Sequence, residues 1–437
     1  MENTKKVNIV TLGCAKNTVD SENLAGHLVK SGYKVTFDSS GRDADIVIIN
    51  TCGFIGDAKE ESIDTILQYV DANEGKRKKQ EIIVCGCLAE RYRKELQEEI
   101  SEVTHFFGVH EWDKILAMLS SSMENALYDK RIQSTPKHYA YLKIAEGCDR
   151  SCSYCAIPLI RGKHISRPLE SIVEEAKQLV KDGVKELIVI SQDTTYYGVD
   201  LYGERMLGTL LERLASESGA EWIRLHYTFP TGFPEDVLDV MAKHKNICKY
   251  IDIPLQHIDT GILQSMKRGI DREETLALIQ KIRNILPEAA LRTTLITGYP
   301  NETEAAFEAL KVFVKESRFD RMGVFTYSPE EQTPAFPLGD TIPEELKIQR
   351  MEELMSIQQQ ISMEINESRV GKTYKVLVDR REGDFWIGRT EFDSPEIDNE
   401  IILQEKELKA GSFYTVKILR NEEFDLYGEV VDELIIC

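Results

Sequence analysis

Three cysteines fall within eight residues in the stretch Gly147-Cys148-Asp149-Arg150-Ser151-Cys152-Ser153-Tyr154-Cys155-Ala156-Ile157-Pro158. Their spacing is C-x3-C-x2-C, with an aromatic side chain just before the last. Thiolates are soft ligands that select iron–sulfur clusters, zinc or copper(I). A structural zinc site closes with four ligands, and no fourth Cys or His follows at ribbon spacing. His164 lies nine residues on, beyond Pro158 and a basic turn. Three thiolates on a cubane of four irons leave one iron without a protein ligand, free to hold a small molecule. A zinc knuckle, or thiols that bind nothing, are the competing readings.

The elements that must position this loop belong to a chain of 437 residues, room for two or three domains and a substantial core. With 42% hydrophobic and 29% charged residues the composition is that of an ordinary globular protein. The first residues lead into a short apolar run ending at Gly13, a strand rather than a signal peptide. No segment approaches the roughly 18 consecutive apolar residues of a membrane helix, so no membrane partner is expected. Nine cysteines, an odd count, point to a reducing cytoplasm and to ligand thiols rather than a disulfide framework. The net charge is −20. Gripping RNA through its phosphates needs a basic surface, so the acidity favours a basic partner or a small substrate.

Continuous Val and Ile runs at 7–12, 45–50 and 81–85 read as buried strands. Between them Ile63, Ile66, Leu67 and Val70 mark one face of a helix. Such alternation implies a parallel sheet covered on both faces. Cys14, Cys52 and Cys87 each follow one of the three strands within a few residues. Parallel strands put their carboxyl ends on one edge, where ligands of open α/β sheets bind. The three thiols are therefore expected to converge, each beside a glycine (Gly13, Gly53, Gly86) that lets the backbone turn closely. A second three-thiolate cluster is the inference; three unrelated core cysteines are the alternative. Cys85, Cys248 and Cys437 are read as packed or incidental.

The cysteine loop with Tyr154 resembles that of the radical S-adenosylmethionine enzymes. Leu12-Gly13-Cys14-Ala15-Lys16-Asn17 with Asp20-Ser21-Glu22, Asn50-Thr51-Cys52-Gly53 and Cys85-Gly86-Cys87-Leu88-Ala89-Glu90-Arg91-Tyr92 resemble the N-terminal domain of the methylthiotransferases. That resemblance implies two 4Fe-4S clusters. Cys148, Cys152 and Cys155 would ligate the one that binds S-adenosylmethionine, and Cys14, Cys52 and Cys87 the auxiliary one. It also implies a radical that removes hydrogen from an unactivated carbon, followed by delivery of a methylthio group, with an electron donor protein and a sulfur donor as partners. Tyr299 and Asn301 depart from the family's Thr-x-x-x-x-Gly-Phe-Pro-Gly-Glu-Thr stretch, which covers Thr293 to Thr303.

A serine run and Pro136 place a linker at 119–138. Beyond it strands at 139–145, 186–192, 222–228, 250–254, 291–296 and 322–327 alternate with helices such as Leu169–Lys181 and 302–315. Six such repeats suggest a partial or complete (βα) barrel, whose functional residues gather at strand carboxyl ends. Gln192, Asp193, His226, Gln256, His257, Arg292 and the stretch Thr297-Gly298-Tyr299-Pro300 occupy such positions. Gln192, Asp193 and Arg292 are the expected cofactor contacts, and no catalytic side chain is singled out. A long helix with Leu354, Ile357, Ile361 and Ile365 on one face is expected to pack on the barrel's flank.

Five short strands beyond Gly371 fit a small OB-like β-barrel. With Val370-Gly371-Lys372 and Gly388-Arg389-Thr390-Glu391-Phe392-Asp393-Ser394-Pro395, this region resembles a TRAM domain. The fold class is thus α/β in three parts. They are a doubly wound N-terminal domain (1–122), a radical S-adenosylmethionine core (134–368) and a C-terminal TRAM domain (369–437). From residue 367 onward ten Lys and Arg stand against seventeen Asp and Glu, a net of −7. Such a domain disfavours direct RNA binding and suits a basic protein. Gly13-Cys14-Ala15-Lys16-Asn17 is nearer the Gly-Cys-Pro-Lys-Asn of methylthiotransferases acting on ribosomal protein S twelve than the Gly-Cys-Gln-Met-Asn of tRNA-modifying relatives. The resemblance therefore implies the basic ribosomal protein as substrate, modified at the β-carbon of a loop aspartate. The alternative is an N6-modified adenosine of tRNA.

Overall fold

Val- and Ile-rich segments of the N-terminal region assemble into a five-stranded parallel sheet in the computed structural model. The structure describes residues 4–39, 43–76, 78–103, 105–119, 131–405 and 407–433; Cys437 and much of the 119–138 linker lie outside them. Two compact units are distinguished. One comprises Met1–Thr135, Glu146–Arg150 and Cys155–Ile165, the other Pro136–Ala145, Ser151–Tyr154 and Ser166–Cys437.

In the first unit the strands are β1 (Lys6–Thr11), β2 (Lys34–Phe37), β3 (Ile46–Thr51), β4 (Glu81–Gly86) and β5 (His105–Phe107), ordered β2-β1-β3-β4-β5. Alternate strand residues face opposite sides. Val47, Ile49, Ile82 and Val84 pack against Ile66 and Val70 of α2 (Gly56–Asn73) and Leu88 and Leu96 of α3 (Cys87–Glu99). Val7, Ile9, Ile46 and Ile48 meet Leu24 and Leu28 of α1 (Ala15–Lys30) and Ile115 and Leu116 of α4 (Trp112–Leu119). The sheet is doubly wound, as its pattern implied, and Cys85 is a core thiol. Two details differ. The edge strands β2 and β5 are short and partly exposed, so they lack the apolar run that marks β1, β3 and β4. The face of α2 is narrower than expected: Ile66 and Val70 are buried, while Ile63 and Leu67 are exposed.

The second unit begins with β6 (Tyr139–Lys143). It continues with the strands Glu186–Ile190, Trp222–Leu225, Ile247–Asp252, Ala290–Thr297 and Arg321–Thr326, paired in parallel in that order. The sheet stays open between its first and last strands, a partial barrel. Intervening helices cover it with Leu, Ile, Val and Phe side chains in one continuous core. The helix expected at 302–315 runs Glu304–Ser317, because the Thr303 hydroxyl caps it by accepting the Ala306 N–H at 3.2 Å. The long helix Glu344–Glu367 packs on the Arg321–Thr326 strand with Leu354 and Ile361 buried. Ile357 and Ile365 sit at the edge of that contact.

The C-terminal strands Thr373–Glu382, Phe385–Arg389, Ile401–Leu403, Phe413–Asn421 and Leu426–Glu433 close into a barrel. Its segment 389–399 lies against the strands of the partial barrel. Glu186 binds Arg224 Nε at 2.7 Å and also pairs with Arg389, whose Nε reaches Asp379 at 2.9 Å. Arg321 pairs with Asp393; Tyr250 donates to Asp398 at 2.7 Å and Tyr139 to Glu396 at 2.8 Å. Burial alone would raise Glu186, but the Arg389 and Arg224 charges hold it below its ordinary value. Removing one member of such a network leaves a buried charge without its partner. Arg389→Ala is therefore expected to destabilise this unit by about 3–5 kcal/mol, read as a lowered denaturant midpoint, whereas Arg213→Ala on an exposed helix face should leave the midpoint in place.

Candidate active site

β1, β3 and β4 are adjacent and in register, with Thr11 opposite Asn50 and Thr51 opposite Gly86. The chain therefore leaves the sheet three times along one edge. Cys14 precedes α1 as its N-cap, Cys52 directly follows β3, and Cys87 opens α3. Gly13 has φ 89°, and a Cβ there would stand 2.6 Å from Cys52 Cβ and 2.8 Å from its Sγ. A Cβ at Gly53 would come within 2.8 Å of the Leu88 backbone and 3.0 Å of the Cys87 carbonyl carbon. The loops are tied by Asn17, whose Nδ2 donates to Leu12 O at 2.8 Å and Thr51 O at 3.1 Å. Asn50 Nδ2 in turn donates to Asn17 O at 3.0 Å. The three thiols lie within electrostatic reach of one another. Burial pushes the Cys87 thiol up to about 12, opposed by the Arg161 charge, and burial likewise raises Cys52.

In the same unit the cysteine loop contributes Cys148 and Cys155, both partly buried. Cys148 N–H donates to Gly162 O at 3.1 Å, and His164 N–H to Asp149 Oδ1 at 2.9 Å. His164 is thus engaged through its backbone. Ile157–Arg161 is a short helix with proline in its first turn. Ala156 and Ile160 pack against Cys87 and Val109. The buried Arg161 guanidinium binds Asp20 Oδ2 at 3.0 Å and Glu146 Oε2 at 2.9 Å, and lies 3.6 Å from Cys87 Sγ.

Cys152 belongs to the second unit, where Arg268 Nη1 donates to its sulfur at 3.3 Å and to the Tyr154 hydroxyl at 3.2 Å. Arg268 is buried over the Phe229 ring, 4.1 Å from its centroid. Ser153 is fixed by Ser265 O at 2.7 Å and the Tyr299 hydroxyl at 2.9 Å. The phenol at position 299, a departure from the family stretch, therefore anchors the cysteine loop. Asn301 has φ 69°, the left-handed conformation that the glycine of that stretch adopts freely and asparagine tolerates.

The strand-end residues divide. Gln192 and Asp193 follow the Glu186–Ile190 strand, and Asp193 caps the next turn by accepting Thr195 N–H at 2.9 Å. Gln256, with φ 74°, and His257 follow the Ile247–Asp252 strand. Among the described residues, Ser191 Oγ, Gln256 Oε1 and His257 Nε2 are buried without a hydrogen-bond partner. His257 Nδ1 accepts the Asp259 N–H at 2.9 Å, and burial pushes its imidazole down to about 4, so the ring is neutral. Arg292, expected at a strand's carboxyl end, is instead the third residue of the Ala290–Thr297 strand, and both it and His226 are committed elsewhere. Arg292 binds Asp252 at 2.9 Å and Asp398 at 3.5 Å, and His226 Nε2 is 3.0 Å from Ser394 Oγ. Sequence reasoning missed Arg161 and Arg268, because a single basic residue carries no spacing that announces burial.

A three-cysteine loop following the first strand of a six-stranded parallel partial barrel defines a radical S-adenosylmethionine enzyme. Residues 142–314 match the Radical SAM superfamily, residues 6–108 the Uncharacterized protein family UPF0004, and residues 370–431 the TRAM domain. The chain is 53% identical to the ribosomal protein uS12 methylthiotransferase RimO of Phocaeicola vulgatus, covering 97% of this chain and 99% of that one. It is also 53% identical to the same-named protein of Flavobacterium psychrophilum, covering 97% and 98% respectively. It belongs to the ribosomal protein uS12 methylthiotransferase family. Its fold is similar to the radical S-adenosylmethionine methyltransferase TsrM of Kitasatospora setae, solved with cobalamin and a [4Fe-4S] cluster bound. That likeness has a TM-score of 0.56 at 14% identity, over 76% of this chain and 74% of that one.

The residues present fit the cofactors of that superfamily. Each of the two cysteine trios would offer three thiols, with no carboxylate or imidazole among them, the chemistry that suits iron–sulfur clusters. The glycine beside Cys52 leaves the room a Cβ would fill. No group of three or more His, Cys, Asp or Glu side chains surrounds a single ion among the described residues; thiols bound to different irons of a cubane stand further apart than ligands of one ion. Gly13→Ala, carrying a side chain into Cys52 at a positive φ, is expected to displace that thiol. Faster alkylation of Cys52 in the metal-free reduced variant than in the parent, mapped by mass spectrometry, is the check.

Proposed function

We propose that the protein adds a methylthio group to the β-carbon of a loop aspartate in ribosomal protein uS12. The observation that carries the reading is the meeting of Cys14, Cys52 and Cys87 at one sheet edge, in a chain whose core also carries the Cys148, Cys152 and Cys155 loop. The first three would hold an auxiliary 4Fe-4S cluster and the second three the 4Fe-4S cluster for S-adenosylmethionine. With S-adenosylmethionine bound, the latter cluster would supply hydrogen abstraction from an unactivated carbon, which no side-chain base could deprotonate at neutral pH, and the auxiliary cluster would supply the methylthio group.

The chain's own residues prepare the site. Arg268 donates to Cys152 and fixes Tyr154, while Ser153 is pinned by Tyr299, so the loop is ordered from several sides. Gln192, Asp193 and the unpartnered Gln256 Oε1 are the proposed contacts for the nucleoside and amino acid parts of S-adenosylmethionine. Arg292, held by Asp252 and Asp398, is assigned instead to bracing the C-terminal barrel. An electron donor protein and a sulfur donor complete the reaction, in the cytoplasm where ribosomal protein is made. No helix among the described residues is long and apolar enough to cross a membrane.

The test supplies the reconstituted protein with S-adenosylmethionine, reductant and sulfide, and offers uS12 and tRNA separately. A methylthio mass gain on a uS12 aspartate with unchanged tRNA nucleosides is expected; methylthioadenosine with unchanged protein mass would overturn the assignment. Replacing Cys148, Cys152 and Cys155 by Ala should abolish S-adenosylmethionine cleavage and leave about half the iron. Replacing Cys14, Cys52 and Cys87 should spare cleavage and stop sulfur insertion.

A further inference from the structure

Arg161 meets Cys87 through its side chain, and its chain neighbour Gly162 meets Cys148, all within the first unit. Arg161 ends the helix that follows the cysteine loop, and its side chain is 3% exposed. Its Nη2 donates to Asn17 Oδ1 and lies 3.6 Å from Cys87 Sγ; Asn17 Oδ1 itself is 3.9 Å from that sulfur. Its Nη1 is held by Asp20 and Glu146. The next residue, Gly162, accepts the Cys148 N–H through its carbonyl at 3.1 Å. Cys87 Sγ, the whole of Arg161 and the Cys148 amide therefore form one continuous bonded and hydrogen-bonded run.

A cluster gains an electron, hence negative charge, when it is reduced. A buried cation and an N–H donor at a ligand sulfur stabilise that state and raise the potential, while nearby carboxylates lower it. Arg161 supplies the first effect at Cys87, and Asp20 and Glu146 supply the second. The three side chains amount to a built-in adjustment of one sulfur, at a residue that is not itself a ligand.

We infer that Arg161 is a positioning residue that sets the reduction potential of the cluster ligated by Cys87, with Glu146 and Asp20 restraining its charge. This rests on Cys14, Cys52 and Cys87 being cluster ligands. The full-length chain with Cys148, Cys152 and Cys155 replaced by Ala should hold that cluster alone, and a redox titration followed by electron paramagnetic resonance reads its midpoint. Arg161→Met should lower the reduced-to-oxidised ratio at fixed potential by roughly tenfold, ~59 mV for one electron. Arg161→Lys, which keeps the charge, should recover most of that shift. Glu146→Gln should move the midpoint the other way. Shifts of opposite sign are not what a purely structural role would give. Because Arg161→Met can cost the cluster itself, Glu146→Gln decides alone: an upward shift supports the inference, and an unmoved midpoint overturns it. A triple-alanine parent that binds no iron would instead overturn the ligand assignment, and this inference with it.

Discussion

Parallelism of strands is the constraint from which the rest follows. Three neighbouring strands that run the same way must release the chain at the same edge, whatever the sequence distance between them. Cys14, Cys52 and Cys87, more than seventy residues apart at the extremes, become neighbours for that reason alone. The cost is borne locally. The turn after β1 needs a backbone without a Cβ beside Cys52, and the loops need Asn17 and Asn50 to occupy the groups that the strands no longer pair. An antiparallel sheet of the same strands would have sent neighbouring ends to opposite edges.

The parts of the fold that were legible in the sequence are those with a strong period or a rigid spacing. Runs of Val and Ile located β1, β3 and β4, and the six strands of the partial barrel fall within a few residues of their expected positions. What escaped was whatever depends on partners far along the chain. β2 and β5 have no apolar run to betray them, being edge strands of mixed exposure. Ile63 and Leu67 of α2 share a helical face with Ile66 and Val70, but the sheet reaches only part of that face. At the candidate site the thiols could be singled out because cysteines at glycine-flanked strand ends are unusual. The arginines that touch them could not, since Arg161 and Arg268 look in sequence like any surface cation.

The acidity of the C-terminal domain also changes meaning once its contacts are known. Counted in sequence, seventeen carboxylates against ten cations suggest an outward field for a basic partner. Several of those carboxylates point inward instead. Asp379 is paired with Arg389 and His138, Asp393 with Arg321, and Asp398 with Arg292 and Tyr250. Burial works against each of these charges, and for Asp379 and Asp393 the facing cations outweigh it and keep the carboxyl below its ordinary value. Part of the net charge is thus internal mortar, and the field available to a docking protein is smaller than the count implies.

The segment that joins the second and third strands of the C-terminal barrel has a consequence for how the molecule comes into being. Arg224, Glu186 and Arg321 sit at the floor of the partial barrel, and much of what neutralises or covers them is contributed by Arg389, Glu391 and Asp393, late in the polypeptide. During synthesis the barrel strands emerge first and must wait, with their ionic groups still hydrated, until the last domain leaves the ribosome. Final closure of the core is therefore postponed to the completion of translation, and a message cut short would yield a chain whose floor stays wet and open to chaperones and proteases.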